Sequence, residues 1–331
     1  MSENNGVAGG ALRAIKMMVR RLAVQVDPKE DNEQGHKDVE FVNSVLHDMM
    51  HTWSATLLES LTMLEHGYSW LQMVAKVRKG ANKNPLKASR HSDKLVGFAG
   101  WFPHSPEWNN GWVFAPGEDG GYLVGLRHLA PPDYHEVIIP RAKSLHFRVE
   151  QSLDNPEGSA ILRTAFRDWW YVQRLEEMEG IGLERTLAGL PVAWAPPEYF
   201  TSGHPEHITV LNQLDQMVRG VRLDQRMGLV IPRSFDERGN QMFGFELMNA
   251  SDGGRGVAMD AAIRRHEARI AGSVLADFML LGQEGASAAF ALSADKTALF
   301  LQALDTIAEA IAGEVNDQAV PLLWRLNGWY P

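Results

Sequence analysis

The chain has 331 residues, no cysteine, and 32 Lys and Arg against 41 Asp and Glu, for a net charge of −9. That length allows one large domain or two moderate ones, and the lack of cysteine excludes disulfides, thiol nucleophiles and cysteine zinc sites. No stretch approaches the roughly 20 apolar residues of a membrane helix, and Arg20-Arg21 stand where a signal peptide would carry its apolar run, so the chain reads as intracellular.

Residues 11 to 22 have a helical pattern, and Ala23 to Pro28 read as a short strand stopped by proline. Lys29 to Lys37 are a charged loop. From Val39 to Glu65 apolar residues recur at three- and four-residue steps, which predicts one long helix ended by Gly67. The period then changes. Tyr68 to Val77, Lys94 to Trp101, Gly111 to Phe114, Tyr122 to Leu129 and Glu136 to Ile139 read as strands of an antiparallel region punctuated by Pro and Gly. The basic stretch Lys79 to Lys94 reads as a solvated hairpin tip.

Gly158 to Ala188 predict a helix of about 31 residues, roughly 46 Å long. Asp154 or Asn155 would cap it and Pro156 would take its first position. Strands are expected in 191–196, 227–232 and 241–249, with a helix from Glu206 to Arg219. A second long helix follows from Val257 to Leu281, with Met259, Ile263, Ile270, Val274 and Phe278 on one stripe. The small residues of 282–289 form a flexible stretch, and helices at Ala294 to Ile311 and Asp317 to Leu326 complete the chain. The order describes an α+β protein in which a small domain interrupts two long helices, like a knob on a stalk.

Charge follows this division. Residues 1–143 carry 16 basic and 16 acidic groups, whereas 144–331 carry 16 and 25, and Lys296 is the only lysine after Lys143. A protein that grips DNA by neutralising phosphates has the opposite balance. An acidic channel that a duplex slides through is compatible with it.

Few motifs carry chemistry. His47-Asp48-Met49-Met50-His51 has the spacing of two metal ligands on one helix face, but aspartate stands where a zincin needs glutamate and no third ligand is assignable. The segment reads as core helix. Glu176-Glu177-Met178-Glu179 reads as a solvated helix face. There is no phosphate-binding GxxxxGK[ST] loop, no GxGxxG after a strand and no GxSxG elbow. Trp169, Trp170 and Phe278 are expected to pack between subunits. Arg264, Arg265 and Arg269 are candidates for intermittent phosphate contact or for ion pairs between subunits.

Several blocks then occur in a telling order. The first long helix runs into Gly67-Tyr68-Ser69, and Gly111-Trp112-Val113-Phe114 precede a Gly-rich turn. Pro140 to Lys143 and Asn155-Pro156-Glu157-Gly158 with Leu162-Arg163 follow. Leu183-Glu184-Arg185 with Gly189-Leu190-Pro191 and finally Asn327-Gly328 complete the series. Together they resemble the Mu-like branch of tailed-bacteriophage portal proteins over about residues 11 to 328, with Gln72 where that family usually has glutamate. Family members usually carry more chain at both ends, so this sequence reads as a short or trimmed variant.

The resemblance implies an α+β portal fold in a dodecameric ring at one capsid vertex. Residues 1–150 would form the wing, 151–190 the first stem helix, 191–255 the clip and 256–282 the second stem helix. Residues 283–331 would give the tunnel loop and helices towards the crown. Gly282, Glu284, Gly285, Ala286, Ser287 and Ala288 would approach the DNA. The implied partners are further copies of the chain, double-stranded DNA read without sequence preference, the large terminase, a head–tail adaptor and the capsid protein. No catalysis, cofactor or membrane is implied, and the place is the virion after assembly in the host cytoplasm. Two other readings are a different virion ring or adaptor protein, and a metal-dependent hydrolase using His47 and His51.

Overall fold

The computed structural model describes residues 2–116, 121–150, 155–188, 190–220, 235, 242–248, 255–274 and 289–329. The chain is α+β and forms two units, Met1–Trp169 with Glu267–Pro331, and Trp170–His266.

The first unit holds two three-stranded antiparallel sheets. In one, β1 (Tyr68–Val77) lies between β2 (Val96–His104) and β6 (Ser144–Arg148); in the other, β4 (Leu123–His128) lies between β3 (Asn109–Phe114) and β5 (Val137–Pro140). Fully buried Trp70 of β1 packs against Leu126 and Ile139, with Trp112 and Leu123 beside them, so the sheets share a core. A buried ring of this kind removes about 150–250 Å² from water, several kcal/mol at about 25 cal/mol per Å².

Helix α1 (Gly6–Arg20) starts where Asn5 Oδ1 accepts the Ala8 N–H at 2.9 Å, and it buries Ala8, Ala11, Leu12, Ile15 and Val19 on one helical stripe. The helix expected from Val39 to Glu65 is instead three: α2 (Glu33–His47), α3 (Trp53–Ser60) and α4 (Met63–His66). Asp48 causes the first break. Its carboxylate is buried, accepts the Arg90 N–H and the Ser89 hydroxyl at 2.7 Å each, and lies 3.0 Å from Lys76 Nζ. Those partners outweigh continuation of the helix, and Thr52 then caps α3 through the Ala55 N–H.

The C-terminal helices α9 (Ala289–Glu314) and α10 (Val320–Leu326) belong to this first unit, joined by a π turn at Val315–Ala319. Pro321 has no N–H to offer the carbonyl four residues back, which favours the wider turn there. Both margins of the β2–β1–β6 sheet are closed without further strands. On β2, Asn327 accepts the Val96 N–H at 2.8 Å and donates to its carbonyl at 3.0 Å. Further along, Met50 N–H donates to the Ala99 carbonyl at 2.9 Å and His51 Nε2 accepts the Trp101 N–H at 3.1 Å. On β6, the Glu314 carboxylate accepts the His146 N–H at 2.8 Å and pairs with Arg141 at 2.8 Å.

The expected strand at Ala23 to Pro28 does not form. This segment runs along an apolar cavity of about 850 Å³ whose walls include Val42, Val45, Phe98, Trp101 and Trp324. Strand β6 (Ser-Leu-His-Phe-Arg) was not expected, although its residues alternate polar and apolar, the signal by which it could have been found.

Helix α5 (Phe166–Ala188) takes the chain into the second unit and α8 (Arg255–Ser273) takes it back. The first is eight residues shorter than expected at its start. Asn155 Oδ1 accepts the Glu157 N–H rather than capping a helix, and Ser159 and Ile161 give their N–H groups to Val149 and Leu64 across the fold. Of the expected second long helix, residues beyond 274 lie outside the described ones. In the second unit β7 (Leu190–Trp194) pairs antiparallel with β8 (Gly244–Met248). Between them in sequence come α6 (Pro197–Thr201) and α7 (Pro205–Gly220), and Tyr199 stacks on His207 at 4.0 Å with Phe243 edge-on at 5.3 Å. The strand expected at 227–232 lies outside the described residues.

Candidate functional site

Helix α5 gives solvent one face on which large apolar groups flank an Arg174–Glu177 pair. Trp170, Met178 and Ile181 fall within about a third of a turn on that face and are 46%, 58% and 50% exposed. Arg174 lies among them, its guanidinium 5.6 Å from the Trp170 ring and 2.9 Å from Glu177. A run of large apolar groups left in water marks a surface that another molecule covers. Trp169, on a different face, is half-buried beside Phe166 at 5.6 Å, and its indole N–H makes no hydrogen bond among the described residues. Sequence reading picked out Trp170 but missed Met178 and Ile181. Their spacing from Trp170, eight and eleven residues on, was the available signal.

The arginines of α8 divide into three situations. Arg264 pairs with Asp260 one turn earlier, at 3.1 Å. Arg269 reaches Asp168 of α5, at 3.6 Å. Arg265 is exposed and makes no ion pair among the described residues. In the second unit Tyr171 of α5 stacks on His266 of α8, with ring centres 5.2 Å apart and planes 17° apart. Arg264 and Arg269 thus have acidic partners within the chain itself. Phe278 and the loop candidates Gly282, Glu284, Gly285, Ala286, Ser287 and Ala288 lie outside the described residues.

His47 and His51 do not share a helix face, because α2 ends at His47. His47 Nδ1 lies 2.8 Å from the Asn43 carbonyl, and His51 Nε2 takes the Trp101 N–H. Among the described residues no three His, Cys, Asp or Glu side chains converge as a metal site, and no helix is long and apolar enough to cross a membrane. The acids Glu176 and Glu177 of α5 are exposed and bonded to Gln173 and Arg174 on their own helix. In the second unit Phe200 and Ile208 are 66% and 47% exposed.

The same fold occurs in a virion component. A chain in the solved structure described as "Virion of native gene transfer agent (GTA) particle" superposes with a TM-score of 0.55 at 13% identity, over 97% of this chain and 78% of that one. A chain in "Neck of empty GTA particle computed with C6 symmetry" gives 0.49 at 14% identity, over 86% and 70%. No curated protein matches. The chain belongs to the family described as portal protein of Mu bacteriophage, whose model matches residues 1–331. Membership assigns it a portal, or connector, role in a family of structural proteins.

Proposed function

We propose that this chain is the subunit of a closed ring at one capsid vertex, through which double-stranded DNA is packaged and later released. The family match along residues 1–331 carries this reading. The apolar face of α5 supports it, because Trp170, Met178 and Ile181 gain a dry environment when a second copy covers them. Residues 1–150 act as wing, 151–190 and 256–282 as stem helices, 191–255 as clip, and 283–331 as tunnel loop and crown-ward helices. The large terminase and then a head–tail adaptor dock on the clip, where Phe200 and Ile208 stand in water, and the capsid protein surrounds the ring. Its place is the virion, after assembly in the host cytoplasm.

The DNA passes without being gripped. Gly282, Gly285, Ala286, Ser287 and Ala288 approach the duplex with small, uncharged side chains, and Glu284 with the acidic excess of 144–331 keeps the phosphates centred. Native mass spectrometry and negative-stain imaging of the purified chain test the reading: closed rings are expected, of about twelve copies on the ring reading proposed here. A monomer persisting across a wide concentration range overturns it. Deletion of 283–289 is expected to leave the ring intact and impair packaging.

A further inference from the structure

The first unit carries two exposed patches of opposite sign. Residues 27–40 hold Asp27, Glu30, Asp31, Glu33, Asp38 and Glu40 against Lys29 and Lys37. Glu33 is paired with Lys37 and Asp31 with His36, whereas Asp27, Glu30, Asp38 and Glu40 have no cationic partner among the described residues. Residues 79–94 hold Lys79, Lys83, Lys87, Arg90 and Lys94, all exposed, against Asp93 alone. Arg78 takes the Asp93 carboxylate at 2.8 Å, and the five cations make no ion pair among the described residues.

The basic loop is held in one shape. Lys76 Nζ donates to the Ala88 carbonyl at 2.7 Å, Ser89 and Arg90 are bonded to the Asp48 carboxylate, and Asn84 caps the 3₁₀ turn Pro85–Lys87. Gly80 exchanges backbone hydrogen bonds with His91 and Ser89. Little freedom is left for a partner to remove on docking.

The two patches sit at opposite ends of α2. Asp48, which anchors the basic loop, is the C-cap of α2, and Arg78 donates to Ser44 in its last turn. The acidic patch covers the N-terminal half of α2, from the helix start about 21 Å from His47 to Glu40 about 10 Å from it. A two-fold axis through either patch would set like charge on like, and a two-fold axis between them would close a dimer rather than a ring. A head-to-tail contact sets opposite charges together, and this is the contact that closes rings.

We infer that the basic loop 79–94 of one subunit docks on the acidic segment 27–40 of the next. The inference rests on the ring reading and assigns two surfaces to it. Exposed charges of this kind choose the partner and speed the encounter, within a screening length of about 8 Å at physiological salt.

The test uses the full chain in two variants, one Lys83→Glu with Lys87→Glu and Arg90→Glu, the other Asp27→Lys with Glu30→Lys and Glu40→Lys. Circular dichroism checks that both fold. Each alone is expected to raise the concentration for half-assembly, read by analytical ultracentrifugation, by about tenfold or more. Mixed in equal amounts they are expected to assemble again, because each reversed patch then faces its complement in an alternating ring. Variants that assemble like the parent overturn the inference and leave the portal reading standing. So does a basic-loop variant that assembles normally but loses binding of a short DNA duplex. A parent chain that forms no ring overturns both.

Discussion

Gly67 and Gly158 meet backbone to backbone, 91 positions apart in the chain. A Cβ on Gly67 would strike the Gly158 carbonyl, and a Cβ on Gly158 would strike the carbonyls of Gly67 and Val149. Gly67 also holds φ at +88°, as the left-handed cap of α4. Substitution at either position is therefore expected to cost stability, through crowding at both and through backbone strain as well at Gly67. Gly67→Ala and Gly158→Ala should each lower the unfolding free energy by about 2–4 kcal/mol, read from urea midpoints. A loss below half a kcal/mol in both would show that the approach is not constrained.

The Asp48–Lys76 pair predicts a large single-site effect, because both side chains are only 2% exposed. Burial raises the Asp48 carboxyl pKa, but the Arg90 N–H, the Ser89 hydroxyl and the Lys76 ammonium together bring it below its ordinary 3.8. A depressed carboxyl stabilises the fold above its unfolded value and loses that contribution as pH falls through its folded value. Asp48→Asn leaves the ammonium without its counter-charge, and a loss of about 3–5 kcal/mol is expected near neutral pH. The difference between parent and variant should narrow below about pH 4. A gap that stays constant down to pH 2 would count against this account.

Two histidines set a second acid limit. Burial, with Arg148 and Arg141 nearby, lowers His146 to about 3. Burial and the neighbouring His128 lower His104 to about 4. Both therefore stay neutral in the fold while the unfolded chain takes up protons near pH 6.5. The unfolded state binds more protons in that window, so stability falls as pH drops from about 6.5 towards 4, by up to about 1.4 kcal/mol per pH unit per site. Replacing His146 by Gln should flatten this slope in a urea-midpoint series between pH 7 and 5. An unchanged slope in His146→Gln would assign the effect elsewhere.

The apolar face of α5 predicts a separation of assembly from folding. Trp170→Ser with Ile181→Ser removes groups that are 46% and 50% exposed. The monomer should change by less than about 1 kcal/mol, while sedimentation should show the ring shifted towards free subunits. Equal loss in both measurements would mean that the face is part of the fold.

Much of the architecture was legible because local patterns agree with it. Tyr68 to Val77 were read as a strand, and β1 has those bounds. The helix read from Glu206 to Arg219 is α7 with one residue more at each end. What failed did so where a distant partner decides. Nothing local says that Asp48 will leave its helix for Lys76, 28 positions on. Nor does the proline-led start at Asn155 reveal that Ser159 and Ile161 spend their N–H groups elsewhere. The blocks that resembled the portal family gained a physical meaning in return: Gly67 and Gly158 touch, and Asn327 closes the β2 margin.

The closed margins of the β2–β1–β6 sheet also order the events of biosynthesis. Glu314 reaches His146 across 168 positions and Asn327 reaches Val96 across 231. The ribosome makes all three strands long before either C-terminal plug exists, so a nascent chain holds a sheet open along β6 and at the Val96 end of β2, where Met50 and His51 do not reach. Unpaired margins of this kind recruit strands from other chains. The nascent sheet is therefore most open to strand capture before α9 and α10 are complete, and release of those helices ends that interval.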